Sequence, residues 1–480
     1  MFETGIRQFR MAMGMVWGRK MDPGNIARLV DDALATLAEF GEPGVGVREL
    51  VDGPFADPDE RAELAERGVQ RTARRLAEQS PFYARRFASS GINPQRLDVA
   101  GLAQIPVTVK RELIDQRHEF WCSDARPHLA TRTTGTTGPA AEVWMSRYEL
   151  ELWSAMSALT GVLRDEIRPT DIMQVHVSSR ATAAVHLTAA ICRLAGASCR
   201  VLGVVPPDEA LDWLVGEATL MSASPSYLGE LVVAARRRGL TAADFRLRRI
   251  DSGGEILSSS LRAAAAETFG ARINDAFGMT EVMPVSATTC SHGHLHHDLN
   301  LGLVELLDLS TGGPAAPGSL ASVVITPYYP FRECLPVFRY DTRDVVRVLD
   351  DGPLNCEISG LPGTSPIVGK ADQILRLETG AVVTPRDLVE AVDALPSQPW
   401  PARFRAEPAG DRVRLTLPVG ALAGLGVRDA HRHFAERALE VELDLVADDQ
   451  GPALRRLRSD LRELTFATEP LPVGGRHAAR

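Results

Sequence analysis

Lysine is nearly absent from this chain of 480 residues. It occurs only at 20, 110 and 370, so 50 of the 53 basic residues are arginine. Basic charge is also outnumbered, and the net charge of −9 excludes a general binder of nucleic acid or of anionic membrane surface. Cysteine is sparse. The six residues at 122, 192, 199, 290, 334 and 356 form no Cys-x-x-Cys pair and no dense spacing, which fits a reducing compartment rather than a disulfide scaffold. No apolar run is long enough to span a bilayer. Met1 to Met21 carries Glu3 and lacks a continuous apolar core, so no secretory signal is expected and the cytoplasm is the expected location. With 45% hydrophobic and 24% charged residues, the composition is that of a globular protein, and its length calls for at least two domains.

What the chain does have is concentrated in a few stretches. The first is Thr133-Thr134-Gly135-Thr136-Thr137-Gly138. Glycine allows backbone to approach a ligand closely, and successive N–H groups with threonine hydroxyls form an anion-binding concavity. No Gly-Lys-Ser/Thr follows, so this is not a Walker A loop. Thr/Gly turns are common, and the stretch gains meaning from those downstream.

Residues 1–60 read as helical pieces broken at Pro23, Pro43, Pro54 and Pro58, and Asp59 to Phe87 as a helix. Tyr148–Leu163 reads as an amphipathic helix, Asp171–Val177 as a buried strand, Ala183–Ala195 as an apolar helix and Arg200–Val205 as a strand. This alternation predicts a doubly wound α/β domain. Arg249 to Glu255 then reads as a strand ending in the glycine loop Gly253-Gly254, where such sheets place ligands. Ile273 to Glu281 (Ile-Asn-Asp-Ala-Phe-Gly-Met-Thr-Glu) reads as a second strand end carrying an aromatic, a glycine, a hydroxyl and a carboxylate. Two further stretches are Pro336 to Asp344 and Gly369-Lys-Ala-Asp-Gln373, the latter before a hairpin and a helix from Pro385 to Leu395.

The order and spacing of these five stretches resemble the adenylate-forming superfamily of acyl-CoA synthetases, adenylation domains and luciferases. Ser80-Pro-Phe-Tyr-Ala-Arg-Arg-Phe, Gly91-Ile-Asn-Pro and Ile105-Pro-Val-Thr-Val-Lys110 resemble its phenylacetate–CoA ligase branch in particular. The likeness covers about residues 66 to 395. It implies a large domain at 1–369, with doubly wound β/α subdomains and a small β-barrel-like part, and a small mobile α+β domain at 370–480. It also implies ATP-dependent adenylation of a small aryl or related carboxylic acid with Mg²⁺, then transfer to a thiol or amine acceptor, with coenzyme A the first choice. On the matching positions, residues 133–138 would hold the β- and γ-phosphates, and Gly253, Gly254 and Glu255 would lie along the adenine. Within Asp275-Ala276-Phe277-Gly278-Met279-Thr280, Phe277 would stack on the base and Thr280 would reach the α-phosphate. Glu281 would hold Mg²⁺, Asp344 would accept from the ribose hydroxyls, and Asp372 would fall at the hinge. His176, Ser178, His186 and Ser224 are candidates for the wall of the acid pocket. The resemblance brings in no nucleic acid or membrane, and leaves a homodimer open.

The chain departs from the family at two places. Pro139-Ala140 follows the phosphate loop where a lysine is usual, and the C-terminal catalytic lysine is replaced by Arg476 in Leu471-Pro-Val-Gly-Gly-Arg476. Guanidinium and ammonium are not equivalent. Against the arginine bias, Lys370 stands where relatives usually have arginine, so it is expected to take over part of the missing lysine's work at the α-phosphate or the ribose. These departures leave room for another oxyacid, such as nitrous acid with an aryl amine acceptor, or for a nucleotide-binding protein without catalysis. A last cluster, Cys290-Ser-His292-Gly-His294-Leu-His296-His297, holds four of the eleven histidines. Some members of the phenylacetate–CoA ligase branch pair a similar segment with a later cysteine segment, and that resemblance implies Cys290, His296 and Cys356 as ligands for a structural Zn²⁺; otherwise the stretch is a solvated His-rich loop.

Overall fold

The computed structural model describes residues 2–41, 57–133, 140–178, 182–350, 354–356, 358, 361–397 and 400–453. The chain enters through helices Phe2–Trp17, Pro23–Phe40, Pro58–Gln79 and Pro81–Ser89. Asp57 caps the third of these by accepting from Asp59 N at 2.8 Å. The helix expected from 59 to 87 is two, because Ser80 is extended and Pro81 opens a new helix. A residue before proline is driven out of the helical region, and proline itself is tolerated only in a first turn.

Strands β1 (Pro127–Arg132) and β2 (Glu142–Ser146) form an antiparallel hairpin. Ser146 caps the helix Arg147–Leu163. Next comes a seven-stranded sheet of β3 (Ile172–His176), β4 (Ser198–Val201), β5 (Leu220–Ala223), β6 (Arg249–Gly253), β7 (Arg272–Gly278), β8 (Ser286–Thr289) and β9 (Leu295–His297). Its order is β4-β3-β5-β6-β7-β8-β9. The first five run parallel, with crossover helices such as Thr182–Leu194, Pro225–Arg237 and Ser259–Phe269 between them. β8 and β9 are antiparallel additions. The strand expected over 200–205 is β4, shorter and earlier. The order reverses between β3 and β5, and that switch point is where open α/β sheets bind ligands.

Strands β10 (Gly302–Asp308), β11 (Leu320–Pro327), β12 (Tyr340–Arg347) and β13 (Gly369–Lys370) form an antiparallel sheet in that order. This is the part expected to be barrel-like; among the described residues it is an open four-stranded sheet. Its register sets Asp344 opposite Lys370. After the hairpin of β14 (Leu375–Arg376) and β15 (Val382–Val383) comes the helix Pro385–Asp393. A three-stranded sheet follows, of β16 (Arg405–Ala409), β17 (Arg412–Pro418) and β18 (Val441–Val446), with the helix Val427–Ala435.

Burial divides the same way. One core joins the N-terminal helices to the first strands and to β11 and β12, and a second lies under the helices Pro225–Arg237 and Ser259–Phe269. A third draws its buried residues only from Leu377 to Val441. The C-terminal part is fastened to the rest near the start of the helix Ser259–Phe269. There Ser258 Oγ donates to Asp393 Oδ2 at 2.5 Å, Ser259 N to Glu390 at 2.9 Å, and Arg386 to the Leu257 carbonyl at 3.1 Å. No helix among the described residues is long and apolar enough to cross a membrane.

Candidate active site

The C-terminal ends of β3, β5, β6 and β7 open onto one cleft of about 610 Å³. Gly253 ends β6 so close to its neighbour that a Cβ would stand 2.6 Å from the Ala276 carbonyl oxygen. Gly254 follows with φ of 85°, which favours glycine. Both glycines line the cleft, as do Glu255, Thr133 and the run Asp275 to Glu281. The motif residues far apart in sequence therefore meet where the alternation pattern said a ligand should sit.

Opposite these strand ends stand two carboxylate–ammonium pairs. Lys370 Nζ donates to Asp344 Oδ2 at 2.6 Å and to the Thr342 carbonyl at 3.1 Å. Burial raises the Asp344 pKa, and the Lys370 charge pulls it back. Such a pair holds a carboxylate fixed and ionised, as an acceptor of two hydroxyls requires. Lys370 is thus paired with the carboxylate expected to face the ribose.

The second pair is Glu281 with Lys110. Lys110 Nζ is 3.5 Å from Glu281 Oε1, and the Tyr340 hydroxyl donates to the same oxygen at 3.5 Å. Burial, and then the Glu281 charge, push the Tyr340 pKa well above its usual value, so it remains a phenol. The Glu281 side chain is only 3% exposed. β12 lays Tyr340 against it and the helix Lys110–Asp115 brings up the lysine, and the residue still lines the cleft. A buried carboxylate with two loose partners at 3.5 Å suits a Mg²⁺ ligand.

Other expected residues take less direct places. Thr133 accepts from Ala141 N at 2.9 Å, closing the neck of the hairpin. Thr134, Gly135, Thr136, Thr137 and Gly138 lie outside the described residues, as does Arg476. Glu255 accepts from Ser226 N at 2.9 Å, at the start of the helix Pro225–Arg237. Phe277 lines the cleft, with the His297 ring edge-on to it at 5.9 Å. Burial raises the Asp275 pKa against the pull of Arg386 and Arg262. Asp372 is exposed in a short 3₁₀ turn just after β13.

Of the proposed pocket wall, His176, Ser178 and Ser224 line the cleft and His186 does not. Ala184 and Leu187 of the helix Thr182–Leu194 face the cleft, and helical spacing carries His186 away to the exposed side. His176 is fully buried, with Nδ1 donating to the Gly203 carbonyl at 2.9 Å and Nε2 facing Gln174 Nε2 at 2.8 Å. Burial lowers its pKa, so it is a neutral wall residue with both nitrogens committed. Trp153, Leu187, Val204 and Tyr227 supply an apolar side.

Sequence reasoning missed Lys110, Tyr340 and Arg386, all of which line the cleft. Lys110 carried a signal, being one of three lysines in a chain of arginines. The metal cluster also gains a member. Ligand atoms of Cys290, His294, His296 and Cys356 all lie within 4.8 Å of one another. A turn closed by Gly293 N on the Cys290 carbonyl at 3.0 Å brings the first two together, and Cys356 Sγ is 3.5 Å from His296 Nε2. Two thiols and two imidazoles at this spacing fit a closed tetrahedral Zn²⁺ site. His294 was legible too, two positions before His296 and therefore on the same face of an extended chain.

No family model matches this sequence. Among curated proteins it is similar to the phenylacetate–coenzyme A ligase of Thermus thermophilus, with 24% identity over 347 residues, 69% of this chain and 75% of that one. The enzyme of the same name from Pseudomonas putida is 26% identical over 338 residues, 65% and 71% of the two chains. Among solved structures, 2-hydroxyisobutyryl-CoA ligase superposes with a TM-score of 0.69 at 19% identity, over 84% of this chain and 88% of that one. The sequence is thus phenylacetate–CoA ligase-like and the fold is that of the adenylate-forming ligases.

Proposed function

We propose that this chain, phenylacetate–CoA ligase-like in sequence and adenylate-forming in fold, is an ATP-dependent ligase. It activates a small aryl carboxylic acid as an acyl-AMP, releases pyrophosphate and passes the acyl group to the thiol of coenzyme A. The observation that carries this reading is the meeting of Gly253-Gly254, Phe277, the Glu281–Lys110 pair and the Asp344–Lys370 pair in one cleft.

The base lies between the glycine loop and Phe277, with Asp344 held by Lys370 to accept from the ribose hydroxyls. A carboxylate oxygen of the acid attacks the α-phosphorus, and the bond to the bridging oxygen breaks as pyrophosphate leaves. Thr280 and Lys110 lie beside the reacting phosphate as donors. Glu281 is the residue that would hold Mg²⁺, which neutralises the departing charge. The protein's part is positioning and charge stabilisation, and no covalent intermediate on the chain is needed. The sulfur of the acceptor then attacks the carbonyl carbon and AMP leaves.

The apolar side formed by Trp153, Leu187, Val204 and Tyr227 supports an aryl acid, as does the name of the curated relatives. 2-Hydroxyisobutyryl-CoA ligase, with the same fold, is solved with its acyl adenylate and coenzyme A. The separate core from Leu377 to Val441 supports a large unit of residues 1–369 and a small unit of 370–480 that turns about Asp372 between the two half-reactions. The Cys₂His₂ cluster takes a structural Zn²⁺ in this reading, with no part in the chemistry. ATP–pyrophosphate exchange with a panel of aryl acids, aliphatic acids and nitrite tests the function. Exchange driven best by an aryl acid, followed by thioester formation with coenzyme A, is the expected result. Exchange with nitrite alone, or with no acid, overturns it.

A further inference from the structure

A second cavity, of about 800 Å³, opens against the helix Pro58–Gln79, away from the cleft. Arginines at 67, 71, 74 and 75 share one face of that helix, by the three- and four-residue spacing of helical neighbours. All four line the cavity, together with Trp17, Tyr329 and the carboxylates of Glu78 and Asp124.

Two of the guanidiniums are neutralised. Arg75 pairs with Asp124 at 2.5 Å and lies 4.7 Å over the Tyr329 ring, and Arg67 pairs with Glu63 at 2.8 Å. The other two find only neutral partners. Arg71 Nε donates to the Tyr329 carbonyl at 2.7 Å, and Arg74 Nη2 to the Gln95 carbonyl at 2.9 Å. Neither meets a carboxylate within ion-pair distance among the described residues. Arg71 is also pressed beneath Gly18, where a Cβ would stand 1.9 Å from its guanidinium carbon. Burial lowers its pKa. The Nε of Arg74 is buried with no hydrogen-bond partner. Glu78 offsets only part of this charge. In a chain of net charge −9, two guanidiniums on one cavity wall with no carboxylate in ion-pair contact suit recognition of an anion. Arginine's planar fork matches phosphate oxygens.

We propose that this groove binds the phosphate groups of a small molecule, with Arg71 and Arg74 as donors and the exposed Trp17 ring as a platform for a flat base. The site shares no lining residue with the nucleotide cleft, and only its reading as an acceptor site rests on the proposed transfer to coenzyme A. The phosphates have two sources, the nucleotide end of a coenzyme A acceptor or a free polyphosphate.

The test is calorimetric titration of the full chain with pyrophosphate and with 3′-phosphoadenosine 5′-phosphate, the cleft being filled by a non-hydrolysable ATP analogue. Both probes are expected to bind less tightly to the Arg71→Gln/Arg74→Gln variant, by roughly tenfold or more, and less tightly as salt rises. Arg74→Gln alone serves if Arg71 proves necessary for packing, with the melting temperature checking the fold. A further loss for the nucleotide alone in Trp17→Ala identifies the acceptor's end as the source. Equal binding of both probes, untouched by Trp17→Ala, identifies a free polyphosphate. Affinities unchanged in the arginine variants, or no binding by the wild type, overturn the proposal. Neither result bears on adenylation, and failed pyrophosphate exchange leaves this site unaffected.

Discussion

Replacing Lys370 with methionine removes the cation 2.6 Å from Asp344 and leaves the carboxyl group in a closed place. The two side chains are 15% and 10% exposed, so water replaces little of what is lost. Breaking a buried pair by deleting one partner costs about 3–5 kcal/mol if the remaining group stays charged. Asp344 can escape part of that cost by taking a proton. Its pKa is already raised by burial, with Lys370 the largest opposing influence, so losing Lys370 moves it further up. A carboxyl with a raised folded pKa adds stability that is fully present below its unfolded pKa and disappears as pH rises through the folded one. In the variant that loss occurs at higher pH, so its melting temperature falls increasingly behind wild type as pH approaches neutrality. Activity follows the ionised form, so the acid limb of ATP–pyrophosphate exchange shifts to higher pH. Lys370→Arg keeps the charge, but a planar fork does not reproduce one ammonium shared between Asp344 and the Thr342 carbonyl. Exchange is expected to fall roughly tenfold, about 1.4 kcal/mol in the barrier. An acid limb in Lys370→Met that coincides with wild type refutes the reasoning.

Three other perturbations have defined outcomes. Glu281→Gln keeps the shape of a buried side chain and removes its charge, so pyrophosphate exchange should drop by on the order of 10²-fold with the melting temperature nearly kept; wild-type exchange would show that the metal ligand lies elsewhere. Purified protein never exposed to chelator should hold about one Zn²⁺ per chain by elemental analysis, and Cys356→Ser should release it and lower the melting temperature. Protein with no zinc sinks that assignment. Gly253→Ala sets a methyl group against the Ala276 carbonyl, and the strands must part at a cost of about 1–3 kcal/mol, read as a lower denaturation midpoint; an unchanged midpoint means β6 and β7 are farther apart than described.

The motifs were legible because each sits where local chemistry and the α/β alternation agree: glycines at strand ends, polar residues after them, apolar helices between. The cleft could be foreseen from that order alone. The meeting of Lys110 with Glu281 could not, since it joins residues 171 positions apart through the packing of a short helix on β12. His186 failed because being near a strand end does not say which face of the following helix looks inward. The single helix expected from 59 to 87 failed for a local reason that was in plain view, the Ser80-Pro81 step. The burial of Glu281 depends on Tyr340, a neighbour that no pattern within residues 273–281 reveals.

Each of the three lysines ends beside a buried carboxylate: Lys20 at Glu333, Lys110 at Glu281 and Lys370 at Asp344. Side-chain amines are the usual targets of acylating reagents, and guanidiniums stay protonated and inert to them. A mild amine-directed label therefore has three side-chain targets in the whole molecule, two of them inside the cleft. The masses of two peptides, with and without ATP, would report cleft occupancy directly, with Lys20 as the internal standard. The arginine-for-lysine skew thus equips the chain with its own footprinting probes.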